Sequence, residues 1–150
     1  MNHNLPLIGG CEQRVGKEHC ARNVQRIDGG IQLDIAPAYG EEAGVQRCER
    51  KLRLDKALTL RDHIELTEEK PVDWVFMLRH EAKLADGKIC SGLIEMTWSG
   101  QLEAQIEEIP VTDARMAKNY PGSIWRVQLT GAAKRIHDET FTIERRNSHE

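Results

Sequence analysis

The strongest constraint in this sequence is alternation with a period of two residues. Gly30-Ile31-Gln32-Leu33-Asp34-Ile35-Ala36 alternates apolar and polar positions without a break, the mark of a strand with one buried face. Leu52-Arg53-Leu54 alternates too. After Asp55-Lys56 the pattern resumes at Leu58-Thr59-Leu60, and Ile64-Glu65-Leu66 keeps the same parity. Asp55-Lys56 is therefore expected at a hairpin tip. Asp62 falls on the apolar parity, so the spacing demands either a bulge there or a buried carboxylate with a partner.

The pattern continues downstream. Val72-Asp73-Trp74-Val75-Phe76-Met77-Leu78 is nearly continuous and predicts a central strand covered on both faces. Ala85-Asp86-Gly87-Lys88 and Trp98-Ser99-Gly100-Gln101 are turn signals. Ile94, Met96 and Trp98 share one face, then Leu102, Ala104 and Ile106, then Trp125, Val127 and Leu129, then Phe141 and Ile143. Only the segment 112–118 offers one or two helical turns, capped by Thr112 or Asp113. The expected fold is an all-β antiparallel sandwich of about 10–12 short strands with little helix. It forms a single domain over residues 1–144, with a polar, frayed tail at 145–150.

Composition narrows the function classes. A chain of 150 residues makes one domain with a core of its own. Its net charge of −3 argues against broad phosphate neutralisation, and so against a nucleic-acid partner. No apolar run approaches the roughly 20 residues of a membrane span, so no membrane partner is expected. The first residues lack the basic and apolar regions of a signal peptide. The four cysteines, Cys11, Cys20, Cys48 and Cys90, form no C-x-x-C pair and read as reduced, part-buried thiols. The expected compartment is the reducing cytoplasm rather than the periplasm.

Local motifs for catalysis are absent. The histidines at 3, 19, 63, 80, 137 and 149 show no H-x-H or H-x-x-x-H spacing and read as surface or structural residues, with His137-Asp138 placed in a turn. No serine stands in G-x-S-x-G. Cys20 beside His19 is the only adjacent thiol–imidazole pair, and strand neighbours point to opposite faces. The acidic stretch Glu103-Ala104-Gln105-Ile106-Glu107-Glu108 reads as a solvated strand face, and Trp74, Trp98 and Trp125 read as core.

The first 13 residues stand apart. His3-Asn4-x-Pro6-x-Ile8-x-Gly10-x-x-Gln13 reads physically as a short strand entering a glycine turn. It resembles the H-N-x-P-x-I-N-G-x-x-Q segment of heparinase II/III-like proteins, a family of bacterial polysaccharide lyases and their relatives. Gly9 stands where the family usually has Asn. The likeness runs over residues 2–144. Gly16 to Ala21 resembles a G-x-x-x-x-A stretch, and Leu33-Asp34-Ile35-Ala36-Pro37-Ala38-Tyr39 resembles a strand ending in Ala-Tyr. Arg50-Lys51-Leu52-Arg53-Leu54-Asp55 and Leu60-Arg61-Asp62 resemble a paired R-x-[VL]-x-L-[DN] and V-x-D hairpin. Asp113-Ala114-Arg115-Met116 resembles a D-x-R-L loop.

The resemblance implies the C-terminal part of a β-sandwich that follows a helical toroid. The parent's reaction would be β-elimination on a uronic-acid polysaccharide, with the catalytic groups on the toroid. It implies no catalytic residue in this chain, and Tyr39 matches a structural strand end. His3 is the candidate metal ligand, its partners lying upstream. The chain itself would need no cofactor, and Zn or Ca would belong to the full-length parent. The implied partners are an acidic polysaccharide and the N-terminal helical domain. Arg22, Arg47, Arg50 and Arg53 are the candidate substrate contacts. Two other readings remain open: a free-standing carbohydrate-binding module for acidic glycans, and a structural module that dimerises through an exposed edge strand.

Overall fold

The computed structural model describes residues 3–146. The chain is all-β, as its alternation requires. Its elements are β1 (Pro6–Ile8), β2 (Arg22–Ile27), β3 (Gly30–Asp34), β4 (Val45–Leu54), β5 (Leu58–Leu78), β6 (Ala82–Ala85), β7 (Lys88–Ser91), β8 (Ile94–Trp98), β9 (Glu103–Pro110), α1 (Ala114–Ala117) and β10 (Ser123–Arg145). Two short 3₁₀ turns, Ala36–Ala38 and Glu41–Ala43, precede β4. The ten strands form one antiparallel sheet in the order β2-β3-β4-β5-β10-β8-β7-β6, with β1 added to β5 and β9 to β10.

Two strands are far longer than the short ones expected. β5 has 21 residues and β10 has 23, and each joins two segments that the sequence presents as separate strands. They pair with each other from Trp125↔Leu78 to Ile143↔Leu58. In the first half of β5, residues 58–66 face β4. In its second half, residues 72–74 face β1. β10 likewise holds β9 along residues 123–130 and β8 along residues 141–145. Between the halves, residues 67–69 and 132–136 are exposed, and the register slips between Gly131 and Lys134 and again before Ile136. These irregularities bend the ribbon, as bulges do. His137, expected in a turn, lies instead just beyond the bend on β10 and is buried.

The bend turns one sheet into two facing layers that share β5 and β10. Between them lies a single core. Trp74, Phe76, Val127 and Leu129 of the smaller layer meet Cys48, Ile64, Leu66, Met96 and Phe141 of the larger one. The rings of Trp74 and Phe141 lie 5.7 Å apart, and those of Phe76 and Phe141 5.0 Å. Truncating a ring of this kind to Ala costs about 3–5 kcal/mol. Val75 is buried on the opposite face of β5, so residues 72–78 are covered on both sides as the apolar run predicts.

The turns follow their residues. Asp55-Lys56 does form the tip between β4 and β5. Asp86 and Gly87 both take positive φ, 49° and 73°, as a two-residue hairpin turn between β6 and β7 requires. Asp113 caps α1, accepting from the amides of Arg115 and Met116 at 2.9 Å each. Residues 145 and 146, expected in a frayed tail, are held by the sheet. Arg145 still pairs with Ile94, and the Arg146 amide donates to Leu93. Residues 147–150 of that tail lie outside the described residues.

Candidate functional site

Two polar constellations stand out, one inside the fold and one on its surface. The inner one starts at Asp62, whose place on the apolar parity of β5 puts its carboxylate in the core with no exposure. Arg50, on the inward face of β4 at the paired register position, is also buried. Its Nε and Nη2 donate to the two carboxylate oxygens at 2.7 and 2.6 Å. Burial disfavours the charged guanidinium, but Asp62 outweighs this and holds the Arg50 pKa up. Trp74 adds an indole N–H to Asp62 at 3.1 Å.

The same network reaches the N-terminal segment. Arg50 Nη1 donates to the Asn4 carbonyl at 2.8 Å, and the Met77 amide donates to Asn4 Oδ1 at 2.7 Å. Tyr39 donates its hydroxyl to the Pro6 carbonyl at 2.6 Å. Gln13 Nε2 donates to both the Tyr39 oxygen and the Pro6 carbonyl, at 2.6 and 2.7 Å. Burial pushes the Tyr39 phenol and the neighbouring Cys48 thiol far above their usual pKa. Neither is a nucleophile or base near neutrality. This network holds β1 in place and offers no reactive group.

The outer constellation covers the opposite face of β3, β4, β5 and β10, where every second residue points away from the core. Arg61 donates to both Asp138 oxygens, from Nε at 2.8 Å and Nη2 at 2.7 Å. His63 lies between Asp138 (3.1 Å) and Glu65 (2.9 Å). Arg47 reaches Glu49 and Glu65, and Lys51 reaches Glu49 at 3.0 Å. The hydrogen bonds from Arg61, aided by those from His63, hold the Asp138 carboxyl down to about 2. At the edge of this lattice Lys51, Arg53, Thr59, Arg61 and Thr140 line a depression of about 320 Å³. On the other side of β4, Asn23, Gln25, Gln32, Asp34, Arg47 and Glu49 line a second polar depression of about 300 Å³.

The four candidate arginines therefore part company. Arg47 and Arg53 lie on the outer face beside the two depressions. Arg22 is exposed on β2, at the edge of the sheet. Arg50 is sealed inside, with its guanidinium committed to Asp62 and Asn4. Its neighbours Lys51 and Arg61, overlooked in the sequence, complete the cationic depression. Alternation could have found them, since both share the outward parity of Arg53.

The remaining candidates are structural or peripheral. His3 is exposed, and among the described residues no group of three or more His, Cys, Asp and Glu could hold an ion. The described residues alone therefore make no metal site around His3. All four cysteines are free; Cys20 is exposed and Cys48 buried. Trp74 is buried, and Trp98 and Trp125 are half-buried against the core. Glu103, Gln105, Glu107 and Glu108 are exposed along β9 as a solvated face. Glu139 was not singled out by the sequence: it is buried at the register partner of Asp62 and accepts from Ser99 at 3.1 Å. Among the described residues no helix is long and apolar enough to cross a membrane. The sequence matches no protein-family model and no curated protein.

Proposed function

We propose that this chain is the C-terminal β-sandwich domain of a heparinase II/III-like polysaccharide lyase. In this reading it braces the catalytic helical domain and lines part of the glycan cleft, and it carries no catalytic group of its own. One observation supports it above the rest. Six of the residues that carry the resemblance, scattered from position 4 to position 62, fall into two hydrogen-bonded groups that the N-terminal segment joins. Arg50 of the first hairpin motif holds Asp62 of the second and the Asn4 carbonyl, while Gln13 and Tyr39 of the Ala-Tyr strand end both hold the Pro6 carbonyl, two residues along the chain from Asn4. A chance likeness has no reason to select residues that touch. The departure at Gly9 fits as well. Its φ of +58° is the left-handed conformation that Gly and Asn adopt most readily, so either residue serves the turn.

A free-standing module that stacks sugars on aromatic rings is the weaker reading, because all three tryptophans are turned to the core. The glycan contact falls instead to the charged outer face. The test is twofold. An antibody to this domain should detect, in lysate of the source cells, a protein several times the mass of this chain. That protein should generate the absorbance of unsaturated uronate from an acidic polysaccharide. A band at the mass of this chain alone, or a full-length protein inert on every uronic-acid polymer tried, would overturn the proposal.

A further inference from the structure

We propose that the depression lined by Lys51, Arg53, Thr59, Arg61 and Thr140 is an oxyanion site that takes a carboxylate or sulfate group. This deepens the reading above and rests on it only for the carrier of that group.

The first reason is an unfavourable arrangement. Lys51 and Arg61 are direct register partners on β4 and β5, and both point outward. Like charges placed opposite each other destabilise a strand pair. Arg53, two residues on from Lys51 and opposite Thr59, adds a third cation to the same spot. The nearby carboxylates do not answer all three. Glu49 is shared among Arg47, Lys51 and the Gln32 amide, and Asp138 is taken by Arg61 and His63. Arg53 has no counter-ion among the described residues.

The second reason is the donor inventory. Asp138 occupies Nε and Nη2 of Arg61, which fixes the guanidinium and leaves Nη1 without a partner among the described residues. Among the described residues Lys51 meets only Glu49, so two of its three N–H donors stay open. Arg53 brings five more, and Thr59 and Thr140 add hydroxyls from either side. No acid lines the depression. Such a site suits a ligand that only accepts, and a planar or tetrahedral oxyanion meets that demand.

The carrier follows from the neighbouring depression. Gln32 is the register partner of Lys51, about 5 Å away across β3 and β4. With Gln25 and Asn23 it offers amides that both donate and accept, the chemistry of neutral hydroxyl groups. None of the lining residues is aromatic, so the face lacks a platform for stacking nucleobases. An acidic oligosaccharide laid across β3, β4 and β5 would place its charged group in one depression and hydroxyls in the other.

The experiment is an amide NMR titration of the intact chain with inorganic sulfate, a uronic-acid tetrasaccharide and a neutral glucose tetrasaccharide. Sulfate should produce saturable shifts at Arg53, Thr59, Arg61 and Thr140. The uronic tetrasaccharide should add Gln25 and Gln32 and bind roughly tenfold tighter than sulfate. The neutral tetrasaccharide should leave the cationic depression unmoved. Lys51→Gln with Arg53→Gln should weaken both anions by about tenfold or more while the remaining spectrum stays that of a folded chain. Gln32→Ala should weaken the tetrasaccharide alone. Equal affinity for sulfate and tetrasaccharide would support the oxyanion site and overturn the glycan carrier. Shifts that never saturate, or that persist in the double variant, would overturn the site. A full-length protein that cleaves uronic polymers while this face stays silent would sink the site and leave the domain assignment standing. Saturable binding here with an inert full-length protein would do the reverse.

Discussion

Trp74 donates its indole N–H to the carboxylate of Asp62 at 3.1 Å, although both belong to the same strand. An extended strand advances about 3.3 Å per residue, so 12 residues should separate them by about 40 Å. The hydrogen bond records how completely β5 doubles back. It also ties the two layers through one carboxylate, which holds Arg50 as well.

Removing that carboxylate should be severe. Asp62→Ala leaves a buried guanidinium and a buried indole N–H unpaired, and the expected loss is about 3–5 kcal/mol. Trp74→Phe keeps a ring in the core and loses mainly one hydrogen bond to a charged group, about 1.5–3 kcal/mol. Urea unfolding followed by circular dichroism compares them. Similar, small losses for both would mean that the buried pair is not what joins the layers.

Stability should fall on acidification, first through His137 and at lower pH through carboxylates, Asp138 among them. His137 is buried against Trp74, its Nε2 donating to the Lys70 and Lys134 carbonyls, and burial lowers its pKa below 6.5. The unfolded state then binds more protons, so stability drops as pH falls below about 6.5 until the native imidazole also charges. Asp138 adds a second loss between its unfolded value of 3.8 and its native value of about 2. His137→Gln should flatten the upper window and spare the lower one, as read from urea midpoints across pH.

Thiol accessibility gives a check that needs no variant. Cys20 is exposed and should react first with an aromatic disulfide reagent. Cys48 is fully buried, with burial pushing its pKa up, so it should label only at the rate of global unfolding. Early labelling of Cys48 in native buffer would show that the core between β4 and β5 opens on its own.

Two glycines should differ in their tolerance of alanine. A Cβ at Gly30 would lie 1.8 Å from the Leu52 carbonyl oxygen, a backbone atom that cannot move aside, so Gly30→Ala should cost about 1–3 kcal/mol or detach β3 from β4. A Cβ at Gly131 would meet Trp74 at 3.2 Å and Leu102 at 3.4 Å, contacts that small shifts relieve. Thermal midpoints should rank Gly30→Ala well below Gly131→Ala.

Much of the fold was legible because period-two alternation is a local property. Asp62 shows this best: its parity called for a bulge or a buried carboxylate with a partner, and the second holds, with Arg50 as the partner. What stayed hidden was non-local. Arg50 shares the apolar parity of Cys48, Leu52 and Leu54, yet the carboxylate that lets it be buried lies across the hairpin, outside its own stretch of sequence. The fusion of two predicted segments into β5 was hidden too. Residues 67–71 are polar and include Pro71, and they interrupt the apolar pattern, yet they remain strand while bending. The cationic depression needs the register of three strands, which no single stretch of sequence carries.

The shared strands also set the order in which the chain can become a protein. β5 ends at Leu78, but its partner β10 does not begin until Ser123, and their pairing closes loops of up to 85 residues (143 − 58) between Leu58 and Ile143. Contacts this distant in sequence belong to slow folders, in the range of milliseconds to seconds. On the ribosome, Trp74, Phe76 and their apolar neighbours emerge long before Val127, Leu129 and Phe141 can complete their cover. The central ribbon that gives the finished domain its single core thus leaves the nascent chain open to misassociation until its last strand arrives.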